Sequence, residues 1–216
     1  MSFTAEVTHL QTLLRAVTRA PHRRIDHHPL MAPLLDAELS LEHYGLVLEF
    51  FAEFYRRLQP VLEIQLGRTH YSFSDRTAWL RADLLALEQR GYERSHFSDE
   101  RLFPFPVTDV PTLIGLLYVI EGSTLGGQVI ARQVQQSLGV SVLHGGRFFY
   151  GYGEQTEQHW QDFWDFANSM TQPDDELVMA EAAVATFDAL ADGLDLVWMN
   201  YSLCSSELPT IGVARG

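Results

Sequence analysis

The chain has 216 residues, 46% of them hydrophobic, which is enough for one substantial core; a single domain is expected over residues 1–204, with a weakly anchored tail at 205–216. A formal charge of −13 argues against nucleic acid as a partner, because phosphate binding needs a basic surface. The lone cysteine, Cys204, excludes an internal disulfide or thiolate cluster; with no basic-then-apolar leader and apolar runs broken well before ~18 residues, a cytoplasmic protein without a membrane span is expected.

The pattern along the chain is helical, and the expected class is all-α. Leu10, Leu13, Leu14, Val17 and Ile25 recur at helical spacing from about residue 4 to 27, with Pro21 expected to bend or restart the helix. Ser40 is a plausible N-cap for a long apolar and aromatic helix reaching Leu66, with a bend at Pro60 and a stop at Gly67. Asp75 opens an amphipathic segment, 77–89, closed by Gly91, and Phe103 to Pro106 reads as an extended linker. A helix is predicted from about Asp109 to Leu138, stopped by Gly139. Residues 140–143 are apolar enough for a short strand, and glycines 145, 146, 151 and 153 mark the rest as loop. Helices resume at 156–170 and, after Pro173 and three acidic residues suited to a helix start, run to about Trp198 or Tyr201.

Two helices carry the candidate chemistry. Gly122, Gly126 and Gly127 lie inside an apolar helix, where each costs roughly 1 kcal/mol relative to alanine. Gly115, Gly122 and Gly126 fall within about 20° of one line along the axis, so one face is stripped of side chains. Such a face admits either close contact with another helix or a flat ligand. A phosphate cradle is disfavoured, because no Gly-Lys-Ser/Thr ending follows and no strand precedes. Near the N-terminus, Arg15, Thr18 and His22 share one helix side, and Arg15, Arg19, Arg23 and Arg24 form a positive patch on an acidic chain. An arginine there is suited to a carboxylate and the imidazole to a metal.

Leu14-Arg15-Ala-Val-Thr18-Arg-Ala-Pro-His22 resembles the N-terminal helix of heme oxygenases, in which a basic residue, a threonine and the iron-binding histidine recur at this spacing. Tyr118-Val-Ile-Glu-Gly122-Ser-Thr-Leu-Gly126-Gly127-Gln resembles their distal helix, and Phe148 to Gly153 followed by Trp160 and Phe163 is similar to a region of the bacterial members that supply biliverdin to bacteriophytochromes. The resemblance implies a single-domain helical bundle with heme between a proximal N-terminal helix and a glycine-kinked distal helix. It implies His22 as the iron ligand, with Gly122, Ser123 and Gly126 at the oxygen-activating face. Arg15, Thr18, Tyr118, Gly127 and Arg132 are implied as heme contacts, Arg15 and Tyr118 toward the propionates.

The implied reaction is oxidative opening of heme, both cofactor and substrate, to biliverdin with release of CO and iron. It uses O2 and an electron donor such as ferredoxin or a flavin reductase, with a phytochrome as possible bilin acceptor. A basic residue and a tyrosine at the two propionate positions resemble α-cleaving members. Ser123 stands where mammalian members carry an aspartate, which bacterial members replace with backbone groups and ordered water. Three other readings share these residues or this fold type: a heme carrier without turnover, a helical interaction module, and a di-iron oxidase using Glu6-x-x-His9 and Glu93-x-x-His96.

Overall fold

The protein is described here from a computed structural model, which covers residues 9–67, 69–95 and 107–206. Seven α-helices order these residues: α1 His9–Asp26, α2 Leu41–Leu66, α3 Arg76–Glu88, α4 Val110–Leu138, α5 Arg147–Tyr150, α6 Thr156–Met170 and α7 Glu176–Ser206. Among the described residues there is no strand, so the all-α expectation holds.

Most boundaries follow local chemistry. Ser40 Oγ accepts from the His43 amide at 3.0 Å and caps α2. Asp75 Oδ1 accepts from the Thr77 and Ala78 amides and caps α3, while Asp109 does the same for α4 through Thr112 at 2.8 Å. Gly139, with φ 64°, supplies the left-handed stop of α4 that a side chain would resist.

Three expectations are corrected, and of the bend or restart expected at Pro21 the restart is absent. α1 runs through Pro21 without a restart: the carbonyl that loses its partner belongs to Val17, which is 36% exposed and can be hydrated. The strand at 140–143 is absent; Ser141 bridges His144 and Gly145 in a tight turn instead. Part of the expected loop is the helical turn α5, because buried Asp83 on α3 accepts the Arg147 and Phe148 amides at 2.9 and 2.7 Å and caps it from afar. α7 continues beyond Tyr201 to Ser206, into the expected tail. The proposed linker at 103–106 and residues 207–216 lie outside the described residues, as do Glu6 and His96.

α7 is the support on which the other parts of the site are mounted. It packs along both α1 and α4, burying Met179, Ala183, Ala191, Leu194 and Val197. Contact with α4 is close: a Cβ at Gly115 would stand 2.3 Å from the Met179 carbonyl oxygen and 2.7 Å from Ala182 Cβ. α4 is long and apolar enough to cross a membrane by composition, but more than half of its most apolar window is buried inside the protein, as in a core helix. On its other sides α4 meets α6 and α5, where Gly127 admits the Phe149 carbonyl oxygen to within 2.8 Å of where a Cβ would be. Held by common packing on α7, α1 and α4 stand apart with a cavity between them.

Candidate heme site

The cavity between α1 and α4 has a volume of about 330 Å³, within the ~300–1,000 Å³ range of small-molecule sites. Its walls are mainly apolar and aromatic, with Phe51, Phe148, Phe149, Trp160 and Phe187 among them. Eight of the nine residues singled out from sequence line it: Arg15, Thr18, His22, Tyr118, Gly122, Ser123, Gly126 and Gly127. Arg132 does not. It is exposed, donates through Nε to the Gln128 carbonyl at 3.1 Å, and borders a separate groove with Gln135 and Glu157. Ten residues beyond Gly122, it points about 80° away from that glycine's side of the helix, as a repeat of 3.6 residues per turn requires.

The glycines divide by role. Gly115 serves helix–helix contact and Gly127 serves contact with α5, so both owe their missing side chain to packing. Gly126 meets nothing within 4 Å of its would-be Cβ, and Gly122 meets only the Trp160 ring at 3.4 Å. The bare face is therefore a packing surface at Gly115 and open at Gly126, while Gly127 packs on the adjoining side of the helix. The packing reading accounts for Gly115 and Gly127, and the space at Gly126 is room that the flat-ligand reading would use.

On the opposite wall, His22 lies at the cavity edge with its side chain 59% exposed. Its ring meets Phe187 edge-on, with centroids 5.5 Å apart. Nδ1 is 2.8 Å from Asp26 Oδ2 one turn on. With the proton on Nδ1, that bond leaves Nε2 as the unprotonated nitrogen, the atom a neutral imidazole can offer to a metal. Asp26 was not selected from sequence, although His22-x-x-x-Asp26 is the i,i+4 spacing that would have flagged it. Thr18 is buried and gives its hydroxyl to the Leu14 carbonyl at 2.6 Å, so it fills space beside the histidine rather than offering a donor.

Outside the cavity a groove of about 670 Å³ runs along α1, bordered by Arg15, Arg19, Arg23 and Tyr118 and shared with His22. The fourth arginine of the patch, Arg24, is spent on Asp192 and Asp195 of α7 at 2.9 and 2.7 Å. Arg15, Arg19 and Arg23 have no carboxylate partner among the described residues. The mouth thus joins an apolar interior to exposed cations, the profile of a site for a flat apolar molecule with anionic edges.

Beneath the glycines lies a polar cluster that the sequence reading missed. Arg76 of α3, 2% exposed, donates from Nη1 to Tyr55 Oη at 2.7 Å and to the Ile120 carbonyl at 2.9 Å, and from Nη2 to Glu121 at 3.0 Å. Glu121 also accepts from the Tyr152 hydroxyl at 3.2 Å. Burial opposes the charge on Arg76, but the Tyr55 and Glu121 oxygens beside it outweigh that cost and hold it cationic. Burial pushes the Tyr55 hydroxyl up, so it stays protonated. Both Arg76 and Tyr55 reach the cavity wall. No group of three or more His, Cys, Asp or Glu side chains able to hold a metal occurs among the described residues.

The heme oxygenase family profile matches residues 8–191. Among solved structures, the chain is similar to the NO- and CO-bound heme oxygenase of Neisseria meningitidis, with 23% identity, 88% of this chain and 92% of that chain covered, and a TM-score of 0.69. It is also similar to heme oxygenase-1 of the cyanobacterium Synechocystis in complex with heme, at 14% identity, 92% and 96% coverage and a TM-score of 0.72. A domain of unknown function with a heme oxygenase-like fold from Shewanella denitrificans is similar at 14% identity, 93% and 97% coverage and a TM-score of 0.65. No curated protein matches the chain. At these identities the structures speak for the fold, and the profile speaks for descent: this chain belongs to the heme oxygenase family.

Proposed function

We propose that the protein is a heme oxygenase that opens heme to biliverdin, releasing CO and iron, with O2 as co-substrate and electrons from a ferredoxin or flavin reductase. The observation that carries this reading is the convergence, across one apolar cavity, of His22 on α1 and the open Gly126 face of α4. Bound heme supplies the iron at which oxygen is activated and the ring that is opened.

The chain's own residues supply seating. His22 Nε2 is the iron ligand and Asp26 orients it. Arg15 and Tyr118 at the mouth would hold the propionates, and because an arginine fork can grip a carboxylate in two places, they would govern how the ring is seated and so where it is opened. With this pair the α carbon is favoured. Gly122, Ser123 and Gly126 keep the far face narrow and free of a competing side-chain ligand. Ser123 gives its hydroxyl to the Ile120 carbonyl at 2.7 Å, so main-chain groups, with water held by them, would serve at this face in place of a side-chain acid. The aromatic walls exclude bulk water. A bacteriophytochrome is the proposed bilin acceptor and the cytoplasm the proposed compartment.

The test is hemin titration of the purified chain, followed by reductant in air. The reading expects a Soret band that is replaced by bilin absorbance, with turnover nearly abolished in His22→Ala while part of the heme binding survives. A Soret band that persists under reductant and air would identify a carrier. Unchanged bilin formation in His22→Ala would show that the ligand had been misassigned.

A further inference from the structure

We propose that Arg76 is a positioning residue: from α3 it braces the glycine-bearing segment of α4, and Glu121 and the Ile120 carbonyl are the two points it grips.

The inference starts from two successive carbonyls at the threshold of Gly122. The Ile120 carbonyl accepts from Arg76 Nη1 at 2.9 Å and from Ser123 Oγ at 2.7 Å, and the Glu121 carbonyl accepts from Thr124 Oγ1 at 2.6 Å. Side-chain donors of this kind compete with the helix's own ladder for carbonyl lone pairs and draw the carbonyls off the axis. Downstream, Gly122 and Gly126 contribute no side chains to hold the helix in place. The segment is held by contacts from its neighbours, Tyr152 on Glu121 and Phe149 against Gly127 among them, and the contact that reaches it from α3 is the Arg76 fork.

Its surroundings are built to keep it there. Glu121 is 1% exposed and Arg76 2%, and the guanidinium lies within 5.0 Å of the Phe73 ring centre and 5.5 Å of the Tyr55 ring centre. A buried ion pair is often no more stabilising than an apolar pair of equal volume, so its presence here reads as a device for holding geometry. Tyr55 reports on the same brace: its oxygen accepts from Arg76 and its ring lines the cavity. Loss of the brace would free the segment over the cavity while leaving His22, on α1, untouched.

The proposal rests on the heme reading for its consequence, but not for its test. Because removing one charge alone would strand the other, the informative variant is the double replacement Arg76→Met with Glu121→Leu, and Arg76→Lys serves as a second, conservative one that keeps the cation without the fork. In the chain without heme, amide hydrogen exchange of peptides spanning 120–128 is expected to speed up by about tenfold or more, with α2 and α7 peptides unchanged. Arg76→Lys should show a smaller rise in the same peptides. In hemin-loaded protein, affinity for azide at the ferric iron should shift by about threefold or more, while the ferrous iron–histidine stretch stays at its wild-type value. Unchanged exchange at 120–128, or an increase spread evenly over all helices, would overturn the brace. Failure of the wild type to bind hemin would overturn the function proposed above, and the exchange result would still decide the role of Arg76.

Discussion

Gly126→Ala should have opposite effects on the empty chain and on heme binding. In a helix interior alanine is favoured over glycine by roughly 1 kcal/mol, and a Cβ at Gly126 meets nothing within 4 Å. The apo protein should gain about 1 kcal/mol, or ~2–4 °C in melting temperature for a chain of this size. Gly115→Ala provides the contrast. There the new Cβ would lie 2.3 Å from the backbone oxygen of Met179, which cannot rotate aside, so overpacking of ~1–3 kcal/mol or more opposes the same propensity gain. Scanning calorimetry of the two apo variants should give shifts of opposite sign. Hemin titration then asks what the open face is for: affinity should fall in Gly126→Ala and further in Gly126→Leu. If Gly126→Ala lowers the apo melting temperature, or if Gly126→Leu binds hemin as the wild type does, the open face is not reserved for a ligand.

Three further outcomes follow from the same geometry. Asp26→Asn keeps an oxygen near His22 Nδ1 but removes its charge, so the ferrous iron–histidine stretching frequency should drop and hemin affinity should fall by ~10–100-fold; an unchanged frequency would disconnect Asp26 from the ligand. Arg15→Ala should weaken hemin binding about 2–5-fold, the value of ~0.5–1 kcal/mol for an exposed ion pair, and this difference should shrink at ~1 M salt. Asp83 is raised by burial to about 6, with the Phe148 and Arg147 amides pulling the other way. Between its ordinary value and 6 the folded state therefore holds the proton more tightly than the unfolded one, and stability from this group declines as pH rises through that window. Asp83→Asn should remove this dependence, so that the unfolding free energies of variant and wild type from urea titration diverge in the variant's favour from pH 4 to 7 by a difference on the order of 3 kcal/mol; parallel curves would count against it.

Local signals in the sequence were enough for the class and for most helix limits. The caps Ser40, Asp75 and Asp109 and the stop Gly139 act on amides or carbonyls within a few residues, so their effect is readable from neighbours alone. The two site-bearing segments were also legible, because helical periodicity puts Arg15, Thr18 and His22 on one side and strips one face of α4.

What a pattern in one helix cannot say is what the neighbouring helix brings to it. Gly115, Gly122 and Gly126 share one line along the helix and look equivalent in sequence; only the placement of Met179 and Trp160 separates a packing glycine from one facing a cavity. Helix α5 owes its start to an aspartate far back in α3, and Arg76 has meaning only where α2, α3 and α4 converge. Arg132 shows the complementary case: its charge is visible in sequence, but the accumulated turn of α4 places it at a separate groove. Periodicity and capping are short-range and survive in a string of letters, whereas close approach, burial and shared hydrogen bonds arise only when distant segments occupy the same space.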